Sequence, residues 1–95
     1  MKILAVDTAL GACSAALLDG ERVLAAKFAA MQRGHAEALA PMVQAVMTGF
    51  DFSALDKLAV TVGPGTFTGQ RVGLAFMRAL RVATGKPLVG VTSLA

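Results

Sequence analysis

The sequence predicts an α/β domain organised on one mixed sheet. Three apolar runs separated by tight turns open the chain, and segments of helical and strand-like period then alternate to its end. The 95 residues suffice for one domain, residues 1–95. At 56% apolar with no Trp or Tyr, its core must be built from Ala, Val, Leu, Met and Phe. That apolar share is high for so short a chain. It implies a lobe of something larger, or a subunit that covers apolar surface with a partner. The chain closes on "LVGVTSLA", a strand and a helix start without a polar tail, so it is read as an N-terminal lobe whose second lobe is absent.

The elements follow in order. "KILAVDT" is a continuous apolar run ending in an acid and a turn former, as a buried strand does. "CSAALLD" follows a short connection containing Gly11, so the two runs form a hairpin. Asp19-Gly20 is a second hairpin turn and leads to a third strand, "ERVLAAKFAA". From His35 the period changes. Leu39, Met42, Val43, Val46 and Phe50 share one helical face, widened by Ala36, Ala40 and Met47. Pro41 either kinks this helix or marks the first turn of its main segment, and Gly49 stops it. "FDFSALDK" is a linker with room for a further helical turn. "LAVTV" is the fourth strand. A second helix runs from about Thr68 to Thr84, Gly85 caps it, Pro87 blocks continuation, and "LVGV" is the fifth strand. The order is β-β-β-α-β-α-β, a meander followed by alternating units.

Faces of the second helix follow from about 100° per residue. Val72, Ala75, Phe76, Ala79, Val82 and Ala83 are assigned to the sheet. Gln70, Arg71, Leu74, Met77, Arg78 and Arg81 are assigned to the outer side, where large apolar residues mixed with arginine suit a protein interface.

Charge divides unevenly. All six acids lie in residues 1–56 beside four bases, whereas residues 57–95 carry five bases and no acid. An acidic or anionic partner for the second half follows. No aromatic residue alternates with those bases, as a single-strand binding platform would need. Cys13 is the only cysteine, so no intrachain disulfide forms, and its place in an apolar strand makes it a small core residue in a chain suited to the reducing cytoplasm. The opening "MKILAVDT" is too short for a signal peptide's apolar segment, and no run approaches membrane-spanning length.

The segment "VGPGTFTGQRVG" joins the fourth strand to the second helix. It fails the phosphate-loop pattern, since Gly65 to Gly69 is one residue short and Gln70 stands where a lysine is required. It fails the dinucleotide pattern too, and no acid follows to hold a ribose. An anion at the helix N-terminus and close packing both remain open uses. Packing is preferred, with Gly63 and Gly65 supplying unusual backbone angles and Gly69 and Gly73 permitting close helix contact. Asp7, at the end of the first strand, is a candidate for holding a metal-bound water near phosphate; it serves equally to cap its own turn. His35 lacks the companions a metal site needs and reads as a helix-start residue. No serine has a base partner or a nucleophile elbow.

Taken together, "ILAVDTALGACSAAL", "GHAEALAPMVQ" and "VGPGTFTGQRVGLAFMRAL" followed by "PLVGVTSLA" resemble the N-terminal lobe of the TsaB (YeaZ) family. The family's segment G-P-G-[ST]-F-T-G-x-R-[IV]-G is matched from Gly63 to Gly73. The resemblance implies an actin/Hsp70/sugar-kinase-like (ribonuclease H-like) lobe. It also implies a bacterial cytoplasmic protein that partners the related catalytic subunit TsaD and, with the ATPase TsaE, helps install threonylcarbamoyl on the adenosine beside the tRNA anticodon. TsaD binds its metal through an H-x-x-x-H motif; Ser93 stands about where its first histidine would be, which argues against catalysis by this chain. The older M22 glycoprotease label finds no peptidase site in these residues.

The resemblance further implies that the two helices pair with those of TsaD, or of a second copy, as a bundle. The expected contacts are Leu39, Met42, Val46, Gly69, Arg71, Gly73, Leu74, Met77, Arg78 and Arg81. Gly69 and Gly73, a turn apart, would admit the partner helix, so Gly73→Leu is expected to end pairing and spare the fold. No cofactor is expected. The competing reading is a nucleotide-binding enzyme of the same superfold, with Mg-ATP held at Asp7, Thr8 and the first hairpin. A third has Arg71, Arg78 and Arg81 contact tRNA directly.

Overall fold

A computed structural model of the chain describes residues 1–8, 12–30, 35–63 and 68–92. The strands are β1 (Lys2–Asp7), β2 (Ala12–Asp19), β3 (Arg22–Ala30), β4 (Lys57–Gly63) and β5 (Leu88–Thr92), and the helices are α1 (His35–Val46) and α2 (Thr68–Thr84). This is the expected β-β-β-α-β-α-β order. The sheet runs β3-β2-β1-β4-β5. Its first half is antiparallel, because hairpin turns reverse the chain; its second half is parallel, because a helix separates each strand from the next.

Local chemistry sets the element ends. The β2–β3 loop is Gly20-Glu21, one residue later than the expected Asp19-Gly20, since Asp19 still pairs with Arg22 and Gly20 takes the left-handed φ of +63°. Helix α1 starts at His35, as expected, carries Pro41 in its interior, and gives way to a turn containing Gly49. The linker holds a short 3-10 turn, Phe52–Ala54, whose Asp51 carboxylate accepts a hydrogen bond from the Ser53 N–H at 3.0 Å. That bond holds the Asp51 carboxyl below its usual range. Gly85, at φ +72°, donates to the Arg81 carbonyl at 2.8 Å and closes α2. Beside Pro87, whose carbonyl accepts from Leu58 N–H at 2.8 Å, β5 begins.

One face of the sheet carries the core. Leu4, Val6, Cys13, Ala15, Leu17, Leu58 and Val60 alternate inward along their strands and meet Leu39, Val43, Val46 and Met47 from the α1 side and Met77 from α2. Full burial of such a side chain contributes about 1.5–3 kcal/mol. Cys13 lies wholly inside this core, as expected. Burial, reinforced by the Asp7 charge, pushes its thiol pKa up. The opposite face is different. Ala5, Asp7, Ser14, Ala16, Ala26, Phe28, Ala59, Thr61 and Val91 line an open groove of about 460 Å³, and no described helix covers it. Among the described residues no helix is long and apolar enough to cross a membrane.

Candidate interface of the helical layer

The helices have one side on the sheet and one side outward, and burial shows which residues occupy each. On α2, Gly73 and Met77 are buried and Leu80 and Thr84 half-buried, a stripe at i, i+4, i+7 and i+11 that faces the sheet. Leu74 and Phe76 pack against the core from either flank. Outward lie Arg71, Ala75, Arg78, Ala79, Arg81, Val82 and Ala83, with Val82 exposed to 80%. This corrects the assigned faces. Met77 belongs to the core, while Ala75, Ala79, Val82 and Ala83 belong to the surface, because the sheet selects the large side chains and the one position with none.

Helix α1 needs a similar correction. Leu39 and Val46 are fully buried in the chain's own core, so they have no surface to give a partner. Met42 is half-buried and packed on that core. Among the described side chains of α1 the outward ones are Ala40, Pro41, Gln44 and Ala45.

Gly73 faces inward as well. A Cβ at this position would stand 2.5 Å from Thr8 Oγ1, 3.2 Å from Thr8 Cγ2 and 3.4 Å from Thr8 Cβ. The close approach it permits is therefore to the residue following β1, within the chain. Gly73→Leu would strike the fold itself, contrary to the expectation that it would spare the lobe. Gly69 lies in the first turn of α2. Its surroundings fall outside the described residues, as do residues 64–67 of the glycine segment and Ser93.

Of the two proposed nucleotide contacts, Thr8 is 0% exposed beneath α2 and presents no side-chain surface to a ligand. Asp7 is half-buried, pairs with Ser14 across the β1–β2 ladder and lines the open groove. Among the described residues, no three His, Cys, Asp or Glu side chains gather as metal ligands would.

The electrostatics of the outer layer are one-sided. Among the described side chains of α1 the exposed ones are uncharged, those of α2 include three arginines, and no acid occurs anywhere in α2. Arg71, Arg78 and Arg81 form no ion pair with a described residue; the ion pair found is Met1 N-terminus to Asp19 at 3.2 Å, at the far end of β1. The result is a surface of small residues, arginine and Val82, the kind of mixture found at protein interfaces.

Comparison with known proteins places this architecture. The family model described as tRNA N6-adenosine threonylcarbamoyltransferase, TsaD, matches residues 23–95. The chain is 38% identical to the tRNA threonylcarbamoyladenosine biosynthesis protein TsaB of Escherichia coli over 99% of its length. The chain belongs to the TsaB (YeaZ) branch of the TsaD family. It is also 36% identical over 97% of its length to the tRNA N6-adenosine threonylcarbamoyltransferase of Erythrobacter litoralis. The solved structure of YeaZ from Pseudomonas aeruginosa superposes with a TM-score of 0.89 at 38% identity, covering 99% of this chain. The chain spans 41% of the E. coli protein, 32% of the E. litoralis protein and 45% of the P. aeruginosa chain. The resemblance read from the glycine segment is thereby shown, together with the α/β fold of the family.

Proposed function

We propose that the chain acts as the N-terminal lobe of a cytoplasmic, non-catalytic partner subunit of the tRNA threonylcarbamoyladenosine machinery. It docks onto a TsaD-type catalytic subunit through the outward side of α1 and α2. The observation that carries this reading is the identity to E. coli TsaB along nearly the whole chain. Two others support it: Ser93 stands where the catalytic subunit's first metal histidine is expected, and the outer helical surface has interface composition.

The residues that perform the docking are those the fold leaves outward: Ala75, Ala79 and Val82 for contact, Arg71, Arg78 and Arg81 around them, with Met42 and Leu74 half-buried beside them. Small residues let a partner helix reach an interaxial distance of about 8–10 Å. The test is Ala75→Trp, an exposed change that leaves stability within about 0.5 kcal/mol and fills the approach. Co-purification with the TsaD protein of the same organism should be lost, with circular dichroism unchanged. Undiminished capture by the Trp variant would remove the helical layer as the docking site.

A further inference from the structure

Arg71, Ala75, Arg78 and Val82 fall at i, i+4, i+7 and i+11 on α2, all exposed, and so form a single outward stripe that alternates guanidinium and small or apolar side chain. We propose that the partner element seated on this stripe is an acidic helix, presenting carboxylates about seven residues apart to Arg71 and Arg78; this rests on the docking reading above.

The two arginines are separated by seven residues, roughly 10.5 Å along the axis at 1.5 Å per residue. A helix packed at a shallow crossing angle repeats its own side chains at that same spacing, so two carboxylates at i and i+7 meet both guanidinium groups. Each guanidinium offers the planar fork that pairs a carboxylate through two hydrogen bonds. Ala75 between them leaves room for the partner backbone.

The lack of any acid within α2 adds a second element. A symmetric pairing of this stripe with itself would bring cation against cation, and like charges in an interface cost several kcal/mol. A second copy is thus the wrong partner for the stripe, and an acidic sister helix the right one. Nucleic acid fits less well. Phosphate backbones reward dense Lys and Arg, and bases reward aromatic platforms; this stripe interleaves alanine and an 80% exposed valine instead.

The experiment pairs the charge reversal R71E/R78E with the charge-keeping R71K/R78K, capturing co-expressed TsaD at low and high salt. Reversal should weaken capture about tenfold or more, the lysine pair should retain most of it, and wild-type capture should fall as salt rises. A synthetic helical peptide with two glutamates seven residues apart should bind the wild-type chain and not the reversed one, and its lysine counterpart should bind neither. If A75W ends capture while R71E/R78E does not, the acidic helix is wrong and the docking face stands. If neither variant affects capture, both fail. A tRNA gel shift by the free chain that vanishes in R71E/R78E, or a homodimer that the same reversal dissociates, overturns the proposal in favour of nucleic acid or a second copy.

Discussion

Gly73 is the position where a single atom decides whether α2 can lie on the sheet. Alanine there gains up to about 1 kcal/mol of helix propensity. It also drives a methyl group to 2.5 Å from Thr8 Oγ1, and Thr8 is fully buried, so its side chain has nowhere to retreat. Overpacking of this kind costs about 1–3 kcal/mol. Gly73→Ala should therefore lower the urea midpoint, and adding Thr8→Ala should recover part of the loss, because Oγ1 and Cγ2 vanish and only the 3.4 Å contact to Cβ persists. Additive losses in the double variant would show that the two positions do not touch. The sequence revealed that this glycine served close packing. It could not say against what, since the helix face is fixed by contacts between residues 65 positions apart, not by local spacing.

At the scale of elements, the strands and helices were legible because their periods and punctuation agree: alternation in β1 and β2, a 3.6-residue period from His35, glycines at 20, 49 and 85 with positive φ. The orientation of α2 was not. Its composition offers apolar residues all round, and alanine counts equally for inside and outside. The stripe Gly73, Met77, Leu80, Thr84 was present in the spacing, but recognising it requires treating a glycine as a core position. Paired truncations check the corrected face. Met77→Ala should cost about 2–5 kcal/mol in chemical denaturation, while Val82→Ala should stay within about 0.5 kcal/mol. A larger loss at Val82 than at Met77 would return α2 to the face first assigned from its spacing.

Across the whole molecule, stability is graded by position in the sheet. Strand β1 has a neighbour on both edges and a helical layer above it, whereas among the described residues β3 and β5 each have a neighbour on one edge. Amide exchange should accordingly be slowest at Leu4, Ala5 and Val6 and faster along β5, measured by hydrogen–deuterium exchange of the intact chain. Faster exchange in β1 than in β5 would contradict the strand order. The bias of charge was readable from composition, for the five bases after residue 56 are plain in the sequence. The outward placing of three of them, Arg71, Arg78 and Arg81, was legible in the spacing of α2, whereas the small residues that share their surface were sorted only by burial.

The contact between Gly73 and Thr8 also constrains movement. With no side chain on the helix as a spacer, the backbone of α2 lies directly on Thr8, next in the chain to Asp7 at the rim of the open groove, so sliding α2 along its axis would bring a bulkier neighbour against a residue that is already fully buried.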